Sequence, residues 1–216
     1  MGAQYRDHGY TLKGPSNGRV GRNLAEIFVD LTTGLDGVQS VCDLGCGNGY
    51  LVSRLGARGL HVTGIDASES GLEMARKHYA TERVKFVLGD IGAGAANLLP
   101  SDARFDAVVS SDVIEHLYRP ADLIESAAAI LRPQGYLVVG TPYHGYLKNL
   151  AISILGKWDA HHGVDWDGGH IKFFSARTLE ALVLRHGFRE PEFRFHGRFP
   201  WLWKHMICVA RANQVE

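Results

Sequence analysis

Residues 112–116 carry side chains that could bind a metal ion or move a proton. If this stretch is helical, Asp112, Glu115 and His116 lie on one face. Two carboxylates and an imidazole on one face could bind a divalent cation, and a histidine alone could act as a general base. The same spacing also fits a capping box, in which Asp112 caps a helix and Glu115 reaches back to its backbone. The pattern alone leaves these alternatives open.

A glycine-rich stretch stands between an apolar run and a helical pattern, as in nucleotide-binding α/β units. The apolar run spans 38–44, glycines occupy positions 45, 47 and 49, and the helical pattern begins at Tyr50. Glycine is expected in such a turn because a side chain would keep the ligand away from the backbone. In a dinucleotide-binding turn the third glycine would stand at position 50. The spacing therefore disfavours a nicotinamide cofactor.

Three acidic residues stand at the carboxyl ends of predicted strands: Asp43, Asp66 and Asp90. Ligands of open α/β sheets lie outside these strand ends. Asp66 follows the glycine turn by about 20 residues, the distance at which a carboxylate can accept hydrogen bonds from ribose hydroxyls. Capping of the next helix is the alternative for Asp66, but the glycine turn upstream favours a ligand.

The elements that position these residues alternate along the chain. We predict strands at 38–44, 60–65, 84–88, 105–110, 136–140, 188–195 and 204–210. We predict helices at 22–33, 50–58, 121–131 and 175–186, and another that Ser68 caps and that runs to Tyr79. This alternation predicts an α/β fold with a doubly wound, mostly parallel seven-stranded sheet. The last two strands are close enough in sequence to pair antiparallel.

Composition favours one domain over residues 1–216, with a flexible arm at 1–20. Lysine plus arginine and aspartate plus glutamate both number 23, which argues against a broad nucleic-acid-binding surface. Three cysteines without zinc-type spacing indicate reduced thiols and a cytoplasmic location. No apolar run is long enough to cross a bilayer.

Residues 38–141 resemble the class I S-adenosylmethionine (SAM) methyltransferases. The pattern Asp-x-Gly-x-Gly-x-Gly at 43–49 is similar to motif I of that family. The stretches 105–110 and 131–137 are similar to its fourth-strand and fifth-strand signatures, although Gln134 stands where the family usually has a glycine. The resemblance implies a Rossmann-like methyltransferase fold, with SAM as cofactor and S-adenosylhomocysteine (SAH) as product.

The resemblance also implies which residues bind SAM. In the family, the glycine turn holds the methionine part, the acidic end of the second strand binds the ribose, and the end of the third strand contacts the adenine. Arg22 lies near the place of an arginine that reaches the SAM carboxylate in the ubiquinone-pathway members; a surface arginine is the alternative. The implied residues are Arg22, Asp43, Gly45, Cys46, Gly47, Asn48, Gly49, Asp66, Ala67, Asp90, Ile91 and Ser111.

Residues 112–116 resemble two subsets of the family more closely. The O-methyltransferases of ubiquinone biosynthesis have Glu-x-x-Glu-His here, and so do the terminal 2′-O-methyltransferases of small RNAs, which bind a metal with it and a distant histidine. His170 stands where that distant histidine is expected, while Asp112 is one methylene shorter than the family's glutamate. The resemblance implies a divalent metal at Asp112, Glu115, His116 and His170. Without metal, His116 would be the general base beside Glu115.

Residues 143–170 form an insertion after the fifth strand. An apolar stripe at helical spacing begins at Leu147 and ends at Leu155, and core packing is the ordinary role of such a stripe. The ubiquinone-pathway members have a similar apolar insertion, which implies a lid over the substrate or, through 146–158, contact with a membrane surface. His144, His161 and His162 lie in the insertion, and the adjacent pair His161 and His162 is interpreted as solvated.

These observations predict a SAM-dependent methyltransferase that acts on a small molecule, at a hydroxyl oxygen of an aromatic or apolar acceptor. A hydroxyl acceptor must lose its proton, which gives the group at 112–116 a role. One alternative is an RNA-terminal 2′-O-methyltransferase, which the balanced charge opposes. Another is a SAM- or nucleotide-binding module without catalysis. The sequence does not indicate an oligomeric state.

Overall fold

The structure is a computed structural model that describes residues 18–162 and 169–213. Most of the predicted arm at 1–20, and 163–168 of the insertion, lie outside the described residues. Seven strands form one sheet in the order β3-β2-β1-β4-β5-β7-β6. They are β1 (Ser40–Leu44), β2 (His61–Asp66), β3 (Val84–Leu88), β4 (Phe105–Ser111), β5 (Leu131–Pro142), β6 (Phe188–His196) and β7 (His205–Ala212).

The sheet is mostly parallel. β1 to β5 pair in parallel, whereas β7 runs antiparallel to both of its neighbours, β5 and β6. Strand β1 lies at the centre, between β2 and β4, so that connections leave it in both directions. The predicted doubly wound α/β fold with an antiparallel last strand is confirmed.

Helices cover both faces of the sheet. They are α1 (Gly18–Thr33), α2 (Tyr50–Ala57), α3 (Glu69–Tyr79), α4 (Ala121–Ile130), α5 (Tyr146–Ile154), α6 (Trp158–His162) and α7 (Ala176–Arg185). Consecutive residues of a strand point to opposite faces, and the neighbours Leu137 and Val138 of β5 belong to two different apolar clusters. One cluster includes Ile124 of α4 and the other includes Phe28 of α1. The core therefore has two layers, separated by the sheet.

Local capping explains where two of the helices begin. The backbone N–H of Gly71 donates to Ser68 Oγ over 3.0 Å, which confirms the predicted cap of α3. Ser175 and Thr178 form a capping box at the start of α7. Both motifs satisfy backbone donors that would otherwise lack a partner in the first helical turn.

Strand β5 is longer than predicted because it pairs with β4 on both sides of an irregularity. Leu131 pairs with Phe105, and the register then shifts before Tyr136 pairs with Ala107. Gln134 adopts a φ of 61° within this shift, a conformation that strand patterns in sequence do not reveal. Among the described residues, no helix combines the length and apolar character needed to cross a bilayer.

Candidate functional site

The glycine turn between β1 and α2 is left-handed at all three predicted glycines. Gly45, Gly47 and Gly49 have φ values of 83°, 53° and 76°. A Cβ at Gly45 would lie 2.4 Å from a methyl group of Val113. Glycine is therefore required at position 45 for two reasons: its backbone conformation and the close approach of the segment after β4.

Asp66 joins this turn to the end of β2. One carboxylate oxygen accepts a hydrogen bond from the N–H of Gly47 over 2.7 Å, and the other accepts one from the N–H of Ser68 over 2.7 Å. Ser68, rather than Asp66, provides the side-chain cap of α3. Each carboxylate oxygen can accept more than one hydrogen bond, so this geometry is compatible with ribose hydroxyls as further donors.

Asp43 lies beneath the turn and is also buried. Burial, and then the negative charge of Asp66, raise the pKa of Asp43 to about 8. A bound cation would favour the ionised form of both carboxylates. SAM carries a sulfonium and an ammonium group, so the buried acidic pair and the glycine turn fit this cofactor.

Asp90 and Ser111 of the predicted cofactor set also stand at the carboxyl ends of parallel strands. Asp90 follows β3, and its carboxylate accepts a hydrogen bond from the N–H of Gly92 over 2.8 Å. Ser111 ends β4. Arg22 belongs to α1, but its side chain lies outside the described residues. Buried or half-buried members of the set are Cys46, Asn48, Ala67 and Ile91.

A second group of side chains comprises Glu115, His116 and His170. One potential ligand atom from each lies within 4.8 Å of the others. The Oε1 atom of Glu115 is 4.0 Å from Nε2 of His170, and the two imidazole ring centres are 4.9 Å apart. The structure therefore brings together three of the four predicted metal ligands.

The surroundings of the Glu115 carboxylate suit a metal ligand. Its side chain is 1% exposed, and its Oε2 atom accepts a hydrogen bond from Thr141 Oγ1 over 2.9 Å. Its Oε1 atom forms no hydrogen bond with any described residue. Burial, and then the charge of Asp112, hold the pKa of Glu115 well above its usual range, and burial lowers the pKa of His170. A buried acceptor beside two imidazoles fits a divalent ion.

Asp112 lies outside this group. The segment forms only a short 3₁₀ turn at Ile114–His116, and Asp112 has a φ of 56°, so the predicted common helical face is wrong. Its Oδ1 atom instead faces Nδ1 of His205 at 3.3 Å. The capping-box alternative is also wrong, because the turn has no side-chain cap and Glu115 contacts Thr141.

Hydrogen bonds hold the distant histidine beside this turn. The N–H groups of Ile171 and Lys172 both donate to the carbonyl of Glu115, over 2.9 and 3.0 Å. Val113 packs on Gly45, which places the Glu115 group next to the predicted cofactor turn. A proton acceptor and a methyl donor could therefore act on the same molecule.

The insertion has an exposed apolar side and buried polar residues. Helix α5 exposes most of its apolar stripe, so core packing, the ordinary role of such a stripe, does not apply: Leu147 is 48% exposed and Ile154 is 75% exposed. In contrast, Lys148 of the same helix is buried, and so is His144 of the insertion. Sequence analysis missed Lys148, Thr141 and His205, because no motif marks them and their partners are distant in sequence.

Comparisons with known proteins agree with this geometry. A family model described as a methyltransferase domain matches residues 16–190. A ubiquinone biosynthesis O-methyltransferase of Alkalilimnicola ehrlichii is 36% identical over 124 residues, which are 57% of this chain and 49% of that protein. A ubiquinone biosynthesis O-methyltransferase of Caulobacter vibrioides is 35% identical over 153 residues, which are 67% of this chain and 57% of that protein. The chain thus spans about half the length of the curated relatives it matches.

A solved structure shows a similar fold. It is an N-methyltransferase of Bradyrhizobium japonicum in complex with SAH, which superposes with a TM-score of 0.65 at 16% sequence identity. The superposition covers 91% of this chain and 89% of that protein. The likeness therefore extends over most of the chain and shows that the two proteins share a fold.

Proposed function

This chain belongs to the methyltransferase domain family, and on that premise we propose that it transfers the methyl group of SAM to a hydroxyl oxygen of a small molecule. The observation that carries the proposal is the position of the Glu115, His116 and His170 group against the glycine turn. Val113, two residues before Glu115, contacts Gly45 of that turn. A methyl donor on the turn and a hydroxyl at the histidines would therefore be neighbours.

The residues around the turn would bind and orient the cofactor. Gly45, Gly47 and Gly49 would admit the methionine part, Asp66 the ribose, and Asp90 with Ile91 the adenine. Bound SAM would supply an electrophilic methyl group for an in-line displacement. The protein's part is to align the acceptor oxygen and to exclude water, and no covalent intermediate on the protein is needed.

The second group would handle the proton of the acceptor hydroxyl. Glu115, His116 and His170 are the residues that would hold a divalent ion, and such an ion would lower the pKa of a bound hydroxyl. Without an ion, His116 would accept the proton as a general base. Asp112 is close enough to Glu115 to influence its charge, but it would act from outside the three ligands.

The proposed acceptor has an aromatic or apolar part. Two relatives are named for O-methylation in ubiquinone biosynthesis, and helix α5 presents an exposed apolar face beside the site. This face would cover the acceptor as a lid or contact a membrane in which the acceptor is dissolved.

Cys42, Cys46 and Cys208 are buried and unpaired, which supports the proposed cytoplasmic location.

One observation favours a second candidate, an RNA-terminal 2′-O-methyltransferase. The group of one carboxylate and two histidines resembles the metal site of those enzymes. A formal net charge of zero argues against this candidate, since nucleic-acid binders usually carry a basic excess.

Methyl transfer from labelled SAM into cell extracts would test both candidates. The products are separated into lipids, soluble metabolites and small RNA, each with and without a chelator. We expect label in lipids or soluble metabolites, and loss of that label on chelation where a metal takes part. The His116→Gln protein, assayed in parallel, shows the label that does not depend on the site.

Each other outcome has a defined meaning. Label that resists the chelator but requires His116 would assign the proton transfer to the imidazole alone. Label in small RNA would replace the proposed substrate class with the second candidate. Absence of label in every fraction, with SAH still bound, would contradict catalysis and indicate a SAM-binding module.

A further inference from the structure

Lys148 is a buried cation that has no counter-ion in the part of the chain that the structure describes. Its side chain is 3% exposed, and its ammonium group donates to the carbonyl of Tyr143 over 2.6 Å. No carboxylate among the described residues forms an ion pair with it. Lys148 also lies in the first turn of α5, where the helix dipole already contributes positive charge. A buried charge in such a place is costly unless an anion compensates it.

Three histidines surround this lysine. The His144 ring centre lies 5.9 Å from that of His161 and 5.6 Å from that of His162, and the latter two are 4.8 Å apart. His144 is 6% exposed, and its Nε2 atom forms no hydrogen bond of normal geometry, although the side-chain amide of Asn149 lies beside it. Neither ring nitrogen of His162 has a hydrogen-bond partner among the described residues. Several ring nitrogens of these histidines therefore lie close together without a hydrogen-bond partner among the described residues.

The charges that act on this cluster are positive. Burial is the main cause that lowers the pKa of Lys148 to about 8, and the charge of Arg198 lowers it further. Burial, and then the charge of Lys148, lower the pKa of His144 to about 3 and that of His161 to about 4. At neutral pH the lysine is therefore cationic, while the imidazoles are neutral and can each donate one N–H. Three imidazoles alone could suit a metal ion, but the ammonium group would repel one.

The cluster adjoins the site proposed for the acceptor hydroxyl. The backbone N–H of His144 donates to the carbonyl of Phe174 over 2.9 Å, and Phe174 lies four residues after His170. The ring of Phe173 packs against His144 at 5.0 Å and against His162 at 4.7 Å. An acceptor with its hydroxyl at Glu115 and His170 would place its other end beside Lys148, with an aromatic wall between.

We propose that Lys148 and His144 bind an oxyanion, a carboxylate or phosphate group, carried by the methyl acceptor. The inference rests on the proposed function, because it names a property of the acceptor in that reaction. Lys148 supplies the charge, His144 supplies an N–H donor, and the uncapped start of α5 adds a favourable dipole. The chain would thus select acceptors that combine an apolar or aromatic body with an acidic group.

Matched acceptors test this proposal. The SAH complex of the full chain is titrated by calorimetry with 3,4-dihydroxybenzoate, 3,4-dihydroxyphenylphosphonate and the neutral 3,4-dihydroxybenzamide. We expect at least one anion to bind the wild type about tenfold more tightly than the amide, as a charge-assisted contact predicts. Preference for the carboxylate or for the phosphonate tells which oxyanion is bound.

Variants locate the source of the preference. The preference should fall to about onefold in Lys148→Met and persist in part in Lys148→Arg. Lys157→Met removes an exposed lysine of the same insertion and should keep the full preference. Removal of an unpaired buried charge should leave the melting temperature of Lys148→Met unchanged or raised, whereas a merely structural lysine would lower it on removal. Equal binding of amide and anions to the wild type, or a preference that survives in Lys148→Met, would overturn the proposal.

A pH titration of the wild type provides a second test if Lys148→Met fails to fold. The preference for the anion should weaken above pH about 8, where Lys148 loses its proton. The other groups that face Lys148 are His144, His161 and His162, which are neutral well below that pH, and Arg198, which stays charged. A constant preference up to pH about 10 would contradict the role of Lys148. Failure of the proposed function is distinguishable, since none of the probes would then be methylated by SAM, whether or not SAH binds.

Discussion

The adjacent side chains of Glu115 and His116 are suited to two different roles, metal binding and proton exchange. The buried carboxylate of Glu115 is oriented by Thr141 and faces His170, while His116 is half-buried and its Nδ1 atom lies 3.3 Å from the carbonyl of Gly169. This arrangement is consistent with the proposal that the carboxylate is a metal ligand and that the imidazole exchanges a proton with the acceptor. Loss of either side chain should affect methyl transfer more than cofactor binding.

Replacement of His116 tests this division of roles. We expect His116→Gln to lower the rate of methyl transfer by about 10²–10⁴-fold, the range for loss of a general base, while SAH binds as before. His78→Gln, which changes an exposed histidine of α3, serves as the control. Comparable rates for the two variants would show that His116 does not act on the acceptor.

Asp66 holds the glycine turn as well as facing the predicted ribose position. An asparagine there would place an N–H₂ group against one of the two backbone donors, Gly47 or Ser68. Hydrogen bonds to charged groups contribute about 1.5–3 kcal/mol, so Asp66→Asn should weaken SAH binding by roughly 10- to 150-fold. Calorimetric titration with SAH measures the change, and Asp102→Asn, at an exposed turn, is the control. An unchanged affinity would exclude Asp66 from the cofactor site.

At the scale of elements, the strand–turn–helix unit was predictable because its signals are local. Alternating glycines, an apolar run before them and a helical pattern after them identify β1, the turn and α2 within about two residues. The Ile114–His116 turn was not predictable in this way. Its shape depends on the left-handed backbone of Asp112 and on the contact of Glu115 with Thr141 of β5, which lies 26 residues further along the chain. Spacing named Glu115 and His116 as site residues but could not give their geometry.

The contact between Gly45 and Val113 couples the two parts of the site. Gly45→Ala would add a Cβ at 2.4 Å from Val113 to the strain of a positive φ, which costs about 1–2 kcal/mol. Gly37→Ala is a matched control, because Gly37 has a φ of 74° and no atom within 4 Å of its added Cβ. Both variants should lose stability in denaturant unfolding, but only Gly45→Ala should also weaken SAH binding and methyl transfer. Equal effects on all three would mean that strain alone matters at Gly45.

At the scale of the whole molecule, the insertion is the region where sequence patterns were least informative. Periodicity showed which residues of α5 share a face, but not what covers that face. In the structure, the apolar stripe of α5 is open to solvent, whereas Lys148, a residue type that is rarely buried, faces the interior. His144, just before α5, donates to the carbonyl of Phe174, and Lys148 of α5 donates to that of Tyr143; neither contact follows from the periodicity of the helix.

The exposed face of α5 predicts association with a lipid surface. Its large apolar residues are exposed over more than a full helical turn, which is uncommon in isolated globular proteins. We expect the wild type to sediment with phosphatidylcholine vesicles. The double variant Leu147→Ser with Ile154→Ser should bind the vesicles roughly tenfold or more weakly, because it removes two apolar side chains from the lipid-contacting face. Leu184→Ser, at an exposed leucine of α7, is the control.

The same variants separate the two roles proposed for this face. Loss of vesicle binding with normal methylation of a water-soluble acceptor would assign the face to the membrane, where an apolar acceptor resides. Absence of vesicle binding by the wild type, together with weaker acceptor binding in the double variant, would instead assign α5 to a lid. In either case the apolar face and the buried Lys148 lie on opposite sides of one helix, so Lys148 would contact the acidic group of the acceptor from the buried side, independently of what covers the apolar face.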